Sequence, residues 1–179
     1  MDFVHKGLGR AVEAFGWVAQ GCALVLVLLV AGNVLVRYFL SEGLVSLQEL
    51  EWHLVSPIAL FGMSYALRHD AHVRVDVFFE RYPPRLQAAV DFVSALLLLA
   101  VALYLAWVSV PWVMQSYGLG EGSPDPGGLS HRWLLKAIIP LGFVVLALQA
   151  AATALETLPR MLAPAPAAEP AAAEPAHGR

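Results

Sequence analysis

The chain has 179 residues, 59% of them hydrophobic and 14% charged, with a formal net charge of -3. Its polar residues are gathered into a few blocks, whereas a soluble domain of this size needs a larger polar coat, so the composition points to an all-α integral membrane protein. The small net charge, with no basic stripe beside exposed aromatics, argues against nucleic acid as a partner. The one cysteine, Cys22, cannot make an internal disulfide, lacks the companions of a zinc site and reads as a buried, inert thiol.

Residues 1–16 mix Phe3, Val4, Leu8, Val12 and Phe15 with Lys6, Arg10 and Glu13, an amphipathic pattern that suits the membrane surface ahead of the first crossing. The apolar run that follows is longer than the core of a signal peptide and continues past Arg37 to Leu40, so it reads as an uncleaved first span over about 17–38. Within it Asn33 and Arg37 are four residues apart and share a helix face. Arg37 lies near the end of the span, where it can snorkel as an interfacial anchor or pair with Glu49 or Glu51.

A second span over about 46–67 becomes long enough only by including Leu47 and Leu50 and tilting. Ser46 followed by Glu49 has capping-box spacing at its start. Pro57 is expected to bend this helix, and Gly62 to admit a neighbouring helix. His53 reads as hydrogen-bonded packing.

The polar block from Arg68 to Gln87 separates this pair of spans from the next and holds four of the eleven Lys and Arg residues. His69, Asp70, His72 and Asp76 invite a metal reading. A zinc site needs ligands held on a fixed scaffold, however, and here two arginines stand among them. Contact of Arg68, Arg74 and Arg81 with lipid phosphates is the expectation, with no metal and no cofactor.

The third span, about 86–114, follows Pro83 and Pro84 and meets Pro111, where a kink is expected. A Gly/Pro-rich loop then leads to the fourth span, about 133–157. Ala102 and Ala106 on the third helix, and Ala147/Ala151 and Ala150/Ala154 on the fourth, have the small-xxx-small spacing that lets helices approach closely, as in a subunit embedded against another. Residues 159–179 are Ala/Pro-rich, low in complexity and expected to be disordered.

Placing the N-terminus inside puts Lys6, Arg10, Arg68, Arg74, Arg81, Arg85, Arg160 and Arg179 in the cytoplasm. Only Arg37, Arg132 and Lys136 then lie outside. The positive-inside rule therefore predicts four transmembrane helices with both termini cytoplasmic.

These residues carry a resemblance. NVLVRY (Asn33 to Tyr38), QELEW (Gln48 to Trp52), Gly62, and HVRVD (His72 to Asp76) followed by a third apolar helix resemble the small membrane subunit of TRAP transporters, the tripartite ATP-independent periplasmic family. The similarity covers about Trp17 to Leu158, and its specificity comes from the order of the motifs. A tryptophan commonly precedes the acidic pair in that family, whereas here Leu47 precedes Gln48 and Glu49, and Trp52 follows.

The resemblance implies a non-enzymatic, multi-pass subunit of the bacterial inner membrane. Its partners would be a large membrane subunit that carries substrate and sodium, a periplasmic substrate-binding protein, and membrane lipids. The substrate class would be organic acids. Asn33, Arg37, Glu49, Glu51, Trp52, Gly62, His72, Arg74 and Asp76 are then the candidate subunit-interface or structural residues.

The central parts of the spans hold no Asp, Glu, Lys or Arg, which suits a scaffold better than a translocation path. Two other classes remain in view. A haem-b anchor of a redox enzyme needs two histidines in spans, and only His53 qualifies. A stand-alone four-helix channel would conduct by itself.

Overall fold

The computed structural model describes residues 2–40, 43–71, 79 and 81–162. Four α-helices account for most of them: α1 Asp2–Leu40, α2 Val45–Arg68, α3 Pro84–Gly118 and α4 Trp133–Leu162. Each falls where a span was expected, and each is longer than the expected span. α1, α3 and α4 are long and apolar enough to cross a membrane, over Gly7–Phe39, Pro84–Gly118 and Trp133–Leu162. α2 is not among them, because Gln48, Glu49, Glu51 and His53 dilute its first half. The expected amphipathic segment 1–16 is continuous with the first span, as α1 runs unbroken from Asp2.

Prolines set the start of α3. Pro83 is in the extended conformation (φ -61°, ψ 149°) and Pro84 occupies the first helical position, where its missing N–H costs nothing. The Gln87 side chain reaches back to donate to the carbonyls of Phe79 and Tyr82, both at 3.1 Å. Further along, α2 continues through Pro57, α3 through Pro111 and α4 through Pro140 and Pro159.

The capping box expected at α2 does not form. Leu44, extended at ψ 111°, is the N-cap residue and makes no side-chain capping bond. The Glu49 carboxylate that would have closed the box is engaged by a distant loop, described below.

The packing is organised around α4, which is the most enclosed of the spans and contacts the other three helices. The principal interfaces are α3–α4, α1–α2, α2–α4 and α1–α4. One apolar cluster joins Val12 and Ala19 of α1 to Phe61 of α2 and Val145 of α4, with the Phe15 ring tilted against Phe61 at 4.8 Å between centroids. A second joins Ala102 of α3 to Leu146 and Ala147 of α4.

The α3–α4 interface has a simple sequence cause. Ala88, Ala95, Ala102, Ser109 and Ser116 recur every seven residues along α3, and all but Ser109 are buried. A seven-residue repeat keeps one seam facing its partner, and small side chains on that seam let the two axes approach. Ala106 of α3 and Ala147, Ala150 and Ala154 of α4 are buried as well. The small-residue pairs expected to face another subunit are thus largely consumed inside this chain.

Glycine serves close approach at several unexpected places and not at the expected one. A Cβ at Gly142 of α4 would stand 2.5 Å from Leu60 Cβ of α2, and one at Gly16 of α1 would meet the Tyr65 ring. Gly62 has nothing within 4 Å. Cys22 is a free thiol and only partly buried, not enclosed as expected.

Candidate functional site: a polar latch across two helical hairpins

The α1–α2 turn and the α3–α4 loop lie at the same end of the bundle, called here the hairpin end. Its chemistry begins with Glu49, in the first turns of α2. The carboxylate accepts from the Ser123 hydroxyl through one oxygen, and from the Leu129 backbone N–H at 2.5 Å through the other. Both donors belong to the Gly/Pro-rich loop between α3 and α4. A single side chain of the first hairpin therefore fastens the connection of the second.

The loop itself is folded tightly enough to present those donors. Ser123 N–H bonds to the Leu129 carbonyl at 3.0 Å, Gly128 N–H to the Asp125 carbonyl at 3.0 Å, and Arg132 N–H to the Glu121 carbonyl at 3.0 Å. Gly127 turns the chain with φ 81°, the left-handed region that favours glycine. Gly128 has no room for a side chain, since a Cβ there would come within 2.3 Å of Ser123 Oγ and 2.7 Å of Glu49 Oε2.

Two more polar links hold the same end. Asn33 Nδ2 of α1 donates to Glu51 Oε1 of α2 at 3.0 Å. Lys136 of α4 pairs with Glu121 of the loop, and its ammonium lies 4.5 Å from the centre of the Trp112 ring on α3. The hydrogen bond from Lys136, reinforced by the charges of Lys136 and Arg132, holds the Glu121 carboxyl below the usual carboxylate range. His53 Nδ1 lies 2.6 Å from the Glu49 carbonyl, one turn back on its own helix, which is the packing role expected for it.

Three clefts open between these links. Val45, Gln48, Glu49, Trp52, His53, Pro124, Asp125, Arg132 and Leu135 line one of about 270 Å³. Asn33, Val34, Arg37, Gly43 and Gln48 line a second, of about 420 Å³, between α1 and α2. The third, also about 420 Å³, lies beside Trp112, Glu121, Arg132 and Lys136.

The opposite, terminal end carries a separate clamp. Glu13 of α1 accepts from Arg68 Nε at 3.2 Å and lies 3.4 Å from His69 Nε2, while the Tyr65 and His69 rings meet at a tilt with centroids 4.3 Å apart. Gly9 leaves space on α1 for the Arg68 guanidinium, which a Cβ would approach to 2.4 Å.

The candidate residues therefore divide. Asn33, Glu49 and Glu51 converge on the hairpin-end network. The pairing of Arg37 with Glu49 or Glu51 does not form: Asn33 takes Glu51, the loop takes Glu49, and Arg37 lines the second cleft instead. Trp52 is 76% exposed beside the first cleft. Gly62 is remote from all of this, and His72, Arg74 and Asp76 lie outside the described residues. Among the described residues no group of His, Cys, Asp and Glu could hold a metal ion.

Sequence reasoning missed Ser123, Leu129, Glu121, Lys136 and the Glu13–Arg68 pair. Lys136 and Glu121 are fifteen positions apart and Glu49 and Leu129 eighty, beyond the reach of any helical periodicity. The glycine doublet Gly127 and Gly128, just before Leu129, was the local cue.

Comparison with known proteins gives the setting. Residues 26–160 match the family model described as the DctQ component of tripartite ATP-independent periplasmic transporters. The chain is 30% identical over 126 residues to the ectoine TRAP transporter small permease protein TeaB of Halomonas elongata, covering 70% of this chain and 64% of that protein. It is 28% identical over 114 residues to the C4-dicarboxylate TRAP transporter small permease protein DctQ of Pseudomonas aeruginosa, covering 59% and 54%. A TRAP small permease protein of Haemophilus influenzae, described as putative, matches at 28% over 100 residues, covering 56% and 61%. The chain thus spans somewhat over half the length of the curated relatives it matches. With its apolar helices and a family match over most of its length, this is an integral membrane protein that belongs to the DctQ family, the small permease component of TRAP transporters.

Proposed function

We propose that this subunit braces the stationary part of a large TRAP membrane subunit in a bacterial inner membrane. It does so with four crossings, α2 included, and with both termini in the cytoplasm. The hairpin end then faces the periplasm and forms part of the surface on which a substrate-binding protein docks. Transport is sodium-coupled uptake of an organic acid, with sodium and substrate bound by the large subunit.

The observation that carries this reading is where the carboxylates are spent. Glu13, Glu49, Glu51 and Glu121 each bond to another part of this chain as a strut between helices or between helix and loop. Among the described residues the buried polar side chains within the helices are Ser64, Ser116, Gln149 and Thr157, none of them ionisable. Carriers mark their path with ionisable or helix-breaking groups facing a cavity. Side chains arranged as struts suit a body that holds its shape while another moves.

Reconstitution tests it. Liposomes holding this subunit alone should show no solute flux. Adding the large subunit and the binding protein should give uptake that depends on a sodium gradient. Flux from the isolated subunit would favour a channel, and a Soret band in the purified protein would favour a haem anchor.

A further inference from the structure

α2 is the helix least suited to lipid, yet it keeps an open stripe. Gln48, Trp52, Val55, Ala59 and Met63, spaced as one helix face, are all exposed. Beside Ala59 and Met63 the backbone of Gly62 is bare, with nothing within 4 Å of the position a Cβ would take. At the head of the stripe Gln48 stands between two clefts. One presents Asn33 and Arg37 of α1, and the other Glu49, His53 and Arg132. Among the described residues Arg37 makes no ion pair.

α3 differs. From Leu96 to Val108 it carries no charged or amide side chain, and its exposed residues include Leu97, Val101, Tyr104 and Val108. Lipid covers such a face without cost. It does not cover amide and guanidinium groups at the membrane boundary equally well, and helices associate in bilayers through close packing and hydrogen bonds, not apolarity. A notch with polar clefts above it has the features of a helix seat.

From these features we propose that the open stripe of α2, from Gln48 to Met63, seats a transmembrane helix of the large subunit, and that α3 faces lipid. The seated helix places a carboxylate or amide in the cleft of Asn33, Arg37 and Gln48. About 21 Å further along, at 1.5 Å per residue, it places a bulky apolar side chain in the Gly62 notch. This inference rests on the small-subunit reading given above.

The test uses the full chain coexpressed with its large subunit. A photo-crosslinking amino acid at Ala59 or Met63 should give an adduct with the large subunit, and one at Leu97 or Val101 should not. Gly62→Leu should not lower the melting temperature of the isolated subunit, because the notch is empty there, and should lower the copurified large subunit about tenfold. Adducts from α3 and none from α2, or full assembly of Gly62→Leu, would overturn the seat while leaving the small-subunit reading intact. Failure of the unaltered chain to copurify any large subunit would overturn both.

Discussion

The Glu49 carboxylate on α2 accepts the backbone N–H of Leu129, eighty residues later, at 2.5 Å. This contact ties the hairpin of α1 and α2 to the connection of α3 and α4. The loop's own backbone hydrogen bonds and the Glu121–Lys136 pair shape that segment, and Glu49 fixes it to the first hairpin.

Glu49→Ala should release the loop. Residues 119–132 should become sensitive to protease, and the melting temperature of the detergent-solubilised protein should fall by a few degrees. Glu49→Gln keeps one acceptor oxygen and should show part of the effect. Unchanged proteolysis of Glu49→Ala would remove the latch.

Asn33 and Glu51 should be energetically coupled. Hydrogen bonds between helices in membranes are worth about 0.6 to 1.7 kcal/mol, so the double-mutant cycle of Asn33→Ala with Glu51→Ala should return a coupling in that range. The cycle of Arg37→Ala with Glu49→Ala should return none.

Two glycines of the membrane region should respond in opposite ways. Gly142→Ala forces a methyl group against Leu60 and should destabilise by roughly 1 to 3 kcal/mol, as overpacking does. Leu60→Ala in the same protein should not restore the loss, because alanine keeps the Cβ that the new methyl group meets. Gly62→Ala meets nothing and gains helix propensity of up to about 1 kcal/mol, so it should be neutral or slightly stabilising. Thermal unfolding in one detergent compares the three.

The Glu121–Lys136 pair should respond to acid. Its carboxyl titrates below the ordinary value, so the folded state gains from the ionised form above the unfolded pKa, about 4.3. That gain is lost as the pH falls through the depressed folded value. Stability should therefore not change on this account between pH 7 and about 5 and should decline below about 4. Trp112, under the Lys136 ammonium, is the reporter, and the wild-type transition in its fluorescence should be absent from Glu121→Gln.

The four helices were legible because they are written in long apolar runs, and the start of α3 because two prolines leave the chain few choices. The heptad of Ala88, Ala95, Ala102, Ser109 and Ser116 was also present to be read, but pairs four apart drew attention first and suggested an external partner. The partner choices of the carboxylates could not be read. Ser46 and Glu49 satisfy a local capping rule, and the rule lost to two donors supplied by a loop that closes far along the chain. For Arg37 the sequence left both an interfacial anchor and a pair with Glu49 or Glu51 open, and charge could not show that the amide of Asn33, one turn before it, takes Glu51.

The clamp of Glu13 on Arg68 sets where α2 stops along α1. Beyond that point α1 continues as helix for about 16 Å, at 1.5 Å per residue, back to Asp2, with Val12 and Gly9 still packed against the bundle. Whatever grips this end of α1 would act on the bundle through a stiff rod, passing on torque that a loose tether could not transmit.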